Sequence, residues 1–237
     1  MVSCAAVAVL AFWFSPTVVA QGSSAAPASP PPVASTKPAR KAAPADSGID
    51  SGSVSNGVYH NKTLALTCKV PPGWVLRTDE MNAREDNPGD NDKREAEDKA
   101  APPAADAASS VGAKVLLAAF SRPPEARAED VNASIVIAAE SVASYPDLKE
   151  AAQYFFPLNE VAKAQGFTAD EDPYDIAVGT KKLARGDFHK DVGTRVMHQS
   201  TLVMLSHGYA ISITVIGGTD DEVEDLIDGL SFATAGK

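Results

Sequence analysis

Residues 194–230 read TRVMHQSTLVMLSHGYAISITVIGGTDDEVEDLIDGL, and their pattern decides the fold class. Two apolar-rich runs, Thr194 to Leu205 and Tyr209 to Ile216, flank the turn tripeptide Ser206-His207-Gly208 and therefore predict a long hairpin. In the second run Tyr209, Ile211, Ile213 and Val215 share one face by the two-residue period of a strand. Ala210, Ser212, Thr214 and Ile216 share the other, which is smaller and mixed in character. Such a strand suits a sheet with a main helix layer on one face and a thinner covering on the other. Thr219-Asp220-Asp221-Glu222 is a capping box, in which the threonine hydroxyl accepts from the third amide and the glutamate reaches back. Val223, Leu226, Ile227 and Leu230 follow at i, i+3, i+4 and i+7, so a C-terminal helix buries one stripe and solvates its acidic face.

Working outward, Lys114 to Phe120 and Ser134 to Ala139 are nearly continuous apolar runs, the pattern of central strands covered on both faces. Ser144-Tyr145-Pro146-Asp147 is expected to open a helix, with Leu148, Ala152 and Phe155 as its stripe. Pro157 should kink or end it, and Leu158 to Ala164 should continue to Gly166. Tyr174 to Val178 and Thr180 to Phe188 read as further strands, with a turn at Lys190 to Gly193. Towards the N-terminus, Gly57 to His60 and Leu64 to Val70 pair as a hairpin around Asn61-Lys62. Pro71-Pro72-Gly73-Trp74 then stops the strand, because proline cannot donate to a ladder. The expectation is an α+β fold: a three-layer α/β/α sandwich around a mostly antiparallel sheet.

The ends and the insertion carry a different message. No charged side chain precedes Lys37. Ala5 to Phe14 form a short apolar run, and Val18-Val19-Ala20 places small residues before Gln21. Residues 1–20 therefore read as a signal peptide cleaved after Ala20. Residues 21–56, with Pro30-Pro31-Pro32 among Ala, Ser and Gly, read as a disordered tether. Residues 57–237 form the domain. Within it, residues 77–110 hold ten Asp/Glu against five Lys/Arg and no apolar period, which predicts an acidic disordered insertion. Asp86, Asp90 and Asp92 do not match the spacing of a calcium loop. The location expected is periplasmic or secreted.

Charge and motifs exclude several functions. With 21 Lys+Arg against 31 Asp+Glu the net charge is −10, which disfavours nucleic-acid phosphate and anionic membranes as partners. After signal removal one cysteine remains, Cys68, on the same strand face as Leu64 and Leu66, and it reads as a buried inert thiol. There is no GxSxG, Walker loop, dinucleotide fingerprint or CxxC pair. Asp187, His189 and Asp191 alternate on one strand face, where a carboxylate–imidazole metal or acid/base site is conceivable. The turn-like surroundings favour a solvated strand end. His60, His198 and His207 show no paired spacing, and Lys181, Lys182 and Arg185 make a small basic spot expected to be solvated. Asn61-Lys62-Thr63 and Asn132-Ala133-Ser134 match glycosylation acceptors, a pattern that arises easily by chance and matters only in a eukaryotic secretory route.

Four features in order resemble the PsbP-like superfamily of α/β/α sandwiches. They are the hairpin Tyr59 to Val70 ending in Pro71-Pro72-Gly73-Trp74, and the strand pair around Val115 and Ile135 with its helix. The stretch from Ile176-Ala177-Val178-Gly179 through Leu183, Arg185 and Phe188 follows. His207-Gly208-Tyr209 then enters the last strand, and a helix closes on Leu230-Ser231-Phe232. The resemblance covers about residues 57–235 and is nearest in character to bacterial exported members of unknown role. It implies a fold and no chemistry: no catalytic, cofactor-binding or metal-ligating residue is carried over. The function expected is a non-catalytic protein-binding or assembly module with a protein partner in the cell envelope or extracellular space. The competing expectation is a small-ligand or metal-binding protein, or a hydrolase, using a groove between sheet and helices. No cofactor, no nucleic acid and no stable membrane insertion after signal cleavage are expected.

Overall fold

A computed structural model describes residues 48–85, 113–126 and 130–233. The expected signal, most of the expected tether and the expected insertion from Asp86 onward, with Asp90 and Asp92, lie outside these residues. Twelve strands among them form two sheets in which every pair is antiparallel. The strands are β1 (Ser53–Ser55), β2 (Val58–Asn61), β3 (Leu66–Lys69), β4 (Val75–Leu76), β5 (Lys114–Phe120) and β6 (Ser134–Ser141). They continue with β7 (Thr168–Ala169), β8 (Tyr174–Val178), β9 (Lys181–Val192), β10 (Arg195–Ser206), β11 (Tyr209–Gly217) and β12 (Leu230–Phe232). The helices are α1 (Thr78–Glu85), α2 (Phe155–Ala164) and α3 (Asp220–Asp228).

The large sheet runs β4-β5-β6-β11-β10-β9-β7, with β8 also on β9; the small sheet runs β1-β2-β3-β12. Two apolar cores lie on opposite faces of the large sheet. Met81 of α1 and Phe155 and Ala162 of α2 meet Val115, Val136, Phe188 and Ile216 on one side. On the other, Tyr59, Leu66 and Cys68 of the small sheet and Val223, Leu226 and Ile227 of α3 meet Leu117, Ile137, Leu202 and Ile213. The second outer layer is therefore a small sheet plus α3, rather than helix alone. The alternation in β11 is as expected, with Ile211, Ile213 and Val215 in one core and Ala210 and Ile216 in the other.

Several boundaries move, each for an identifiable reason. The fold begins before Gly57: Ile49 is buried, β1 pairs with β2, and Tyr59 donates its hydroxyl hydrogen to the Ser51 carbonyl at 3.0 Å. Residues 78–85, expected to belong to the acidic insertion, form α1 instead. This helix is held by polar side chains, so it carries no apolar period. Asn82 exchanges two 2.9 Å hydrogen bonds with the Val115 backbone, and Thr78 accepts from the Ala118 amide at 3.0 Å. Together they close the stretch of β5 edge that the two-residue β4 leaves open.

Pro157 sits in the first turn of α2, where its missing N–H costs nothing, so the helix starts there instead of ending. The segment before it, Ala151–Tyr154, is a 3₁₀ turn. β9 runs through the expected turn at Lys190 as far as Val192. In the capping box of α3, Thr219 accepts from the Glu222 amide at 3.1 Å as expected, while the Glu222 carboxylate reaches back to the Gly218 amide at 2.7 Å.

Candidate functional site: an apolar groove beside the small sheet

The groove is built by the residues that end β3. The Val70 amide donates to the Gly57 carbonyl at 2.8 Å, and the chain then enters Pro71-Pro72-Gly73-Trp74. The Trp74 amide donates to the Pro71 carbonyl at 3.3 Å, and Gly73 has φ +85°. That is the arrangement of a type II turn, with proline second and a left-handed glycine third. The turn folds Trp74 back against the core, where it is only partly buried. Val54 of β1, Val58, Val70, Trp74, Leu76 and Leu226 then wall an open groove of about 840 Å³. Val54 is 36% and Leu76 45% exposed, so the groove presents apolar surface to solvent. Exposed Lys69, Asp225 and Asp228 also line it. Neither a histidine, a serine nor the thiol lines it, so it has no nucleophile–base pair.

The groove was not legible as a site beforehand. The signal was present: three stop residues followed by tryptophan mark a bend with an aromatic wall. Which strand and helix stand opposite is a tertiary fact.

The polar residues singled out by sequence go elsewhere. Asp187 is locked in a network: Tyr174 donates to Oδ2 at 2.7 Å, and Arg185 Nε (2.9 Å) and Ser200 donate to Oδ1. Arg185 also reaches Glu224 and so ties β9 to α3. Burial, then the bond to Asp187, pushes the Tyr174 phenol up to about 12. Asp191 is exposed at the strand end, and the three alternating residues do not converge. Two members of the basic spot are ion-paired, Lys182 with Asp175 at 2.7 Å and Arg185 within its network, and Lys181 is exposed.

His189 is hydrogen-bonded to Asp170, and His198 Nδ1 lies 2.6 Å from Asp220 Oδ1. His207 occupies the β10–β11 turn with φ 54°, and His60 is exposed on β2. No group of three or more His, Cys, Asp or Glu side chains among the described residues is placed to hold a metal ion.

Cys68 is fully buried, and burial pushes its thiol up to about 12, the opposite of what a nucleophile needs. The structure buries the asparagines of both glycosylation triplets. Asn61 is 2% and Asn132 8% exposed. Asn61 donates to the Asp50 carbonyl at 2.6 Å and accepts from the Leu64 amide at 2.9 Å. Asn132 accepts from Ser121 and from the Arg122 amide and donates to the Arg122 carbonyl. Neither side chain is open to a glycan. A buried carboxylate that sequence reasoning missed is Glu140, which accepts from the phenols of Tyr145 and Tyr154 and pins the 3₁₀ turn to β6. Its position at the end of an apolar run was the available clue.

No family model matches the chain, and no curated protein does. Among solved structures it is similar to LpqN of Mycobacterium tuberculosis, involved in cell envelope biogenesis. There the identity is 14%, over 71% of this chain and 83% of that one, with a TM-score of 0.35. It is also similar to the Ran-binding protein Mog1p of Saccharomyces cerevisiae, at 12% identity over 68% and 76% of the chains, with a TM-score of 0.37. Likeness at this level carries no argument about activity or partner. No described helix is long and apolar enough to cross a membrane.

Proposed function

We propose that the chain is an exported, non-catalytic protein-binding module whose apolar groove receives a segment of a partner in the cell envelope or extracellular space. The groove is the observation that carries this reading. Its lining is mostly apolar, and its polar members Asn56, Lys69, Asp225 and Asp228 are all exposed, a composition that suits a protein-binding surface. Trp74 and Leu76 supply aromatic and aliphatic anchors of the kind that dominate binding energy. Export rests on the apolar, uncharged N-terminal segment ahead of a Pro/Ala/Ser-rich stretch. The PsbP-like resemblance supports the fold and leaves the partner open.

The test uses the purified chain as bait against an envelope fraction, beside a Leu76→Asp variant. Leu76 is 45% exposed, so this change leaves the core intact. The reading expects a partner retained by the wild type and lost with Leu76→Asp at an unchanged thermal midpoint. Equal recovery by both chains would refute the groove as the binding site.

A further inference from the structure

We propose that His189 and His198 together bind one divalent transition-metal ion of the zinc class, at a site separate from the groove. The two residues stand directly opposite each other on β9 and β10. Directly opposed residues point to the same face of the sheet, with Cβ atoms about 4.5–5.5 Å apart. A single ion can bridge imidazoles at that spacing, since each Zn–N bond is about 2.0–2.1 Å.

The carboxylates set the rings for this role. His189 Nδ1 is turned to Asp170, which follows β7 on one flank, and His198 Nδ1 to Asp220, which opens α3 on the other. His189 Nδ1 is hydrogen-bonded to its carboxylate, the arrangement that recurs behind metal-bound histidines, and His198 Nδ1 has Asp220 within ion-pair distance. Neither Nε2 has a hydrogen-bond partner among the described residues.

Space and charge agree. The histidine side chains are 40% and 25% exposed, which leaves room for water to complete a tetrahedral shell. Gly217 faces His198 from β11 and puts no side chain over it. Asp170 and Asp220 put negative charge beside the histidines, while the guanidinium of Arg185 is already engaged by Asp187 and Glu224. The ion would be bound by two protein ligands plus water, in keeping with the lack of any three-residue cage.

Titration calorimetry of the untagged chain with Zn²⁺ tests the proposal, with Mg²⁺ as the hard-ion control. One equivalent of zinc is expected to bind and Mg²⁺ to give no heat. His189→Ala and His198→Ala should each weaken zinc binding by at least tenfold, and His60→Ala should leave it unchanged. Should either site variant fail to fold, ¹⁵N spectra of the wild-type imidazoles replace it, with zinc moving the Nε2 resonances of two of the four histidines. No zinc heat, full affinity in either site variant, or shifts at one or all four imidazoles would overturn the proposal.

Discussion

Gly186 lies in β9 beneath the ring of Phe155, and Gly186→Ala puts a methyl group where that ring already is. An ideal Cβ would stand 2.4 Å from Phe155 Cε1, 2.9 Å from Cδ1 and 3.2 Å from Cζ. The ring cannot swing clear, because Phe155 is 1% exposed and sits at the start of α2 among the core side chains Ala162, Phe188 and Val203. Two effects oppose each other. Gly186 has no positive φ, so alanine would stabilise by about 0.4–1 kcal/mol through a less flexible unfolded chain. Overpacking a close-packed core costs about 1–3 kcal/mol, and a separation of 2.4 Å puts this case at the upper end. The net expectation is a loss of about 2 kcal/mol, or roughly 4–8 °C in thermal midpoint for a domain of this size. Urea unfolding followed by circular dichroism measures it. The double variant Gly186→Ala with Phe155→Leu should recover part of the clash, visible as a favourable coupling in a double-mutant cycle. Stability equal to or above wild type in Gly186→Ala would refute the packing of α2 on β9.

Other expectations concern burial, boundaries and charge. Cys68 and Tyr59 are both held at about 12 by burial, above the ordinary 9.0 and 10.0, so the unfolded chain loses these protons first as pH rises. Their contribution is fully present below pH 9 and is lost between about pH 9 and 12, so urea midpoints should fall over that window and less steeply in Cys68→Ala; a flat profile would contradict the burial. Deleting residues 87–110 should leave the thermal midpoint nearly unchanged, because the entropy of closing a connection depends only weakly on its length. Extending the cut back to residue 80 removes Met81 and both Asn82 hydrogen bonds and should cost several degrees; equal midpoints would mean that α1 does not seal β5. Asn61→Ala should cost about 1–3 kcal/mol in chemical denaturation by stranding the Leu64 amide. In a eukaryotic secretory host, peptide mapping should find Asn61 and Asn132 without glycan on the folded chain.

The parts of this protein that were legible in its sequence are those set by local periodicity. The alternation of β11, the apolar runs of β5 and β6 and the stripe of α3 each follow from side-chain spacing, and each faces the core it was expected to face. Caps and breakers were legible too, because Thr219 and Pro71-Pro72-Gly73 act on their own neighbours. Helix α1 was not: its role is to satisfy the β5 backbone with Thr78 and Asn82, and polar partners leave no apolar period. The histidine pair was hidden for a different reason. A turn placed at Lys190 to Gly193 ends β9 too soon, whereas strands reaching Val192 and starting at Arg195 bring His189 opposite His198.

Spacing along one chain determined which residues are inside, since burial of a strand or helix face is a local pattern repeated. Tertiary structure alone decided what stands across from what. It brought Asp170 and Asp220 to the two histidines, Asp187 into a network with Tyr174 and Ser200, and Asp225 and Asp228 to the lining of the Trp74 groove. The physical reason is that register and layer packing are fixed by the sum of many apolar contacts across the sheet. A polar residue's partner is a consequence of that sum and is not encoded in the residue's own neighbourhood.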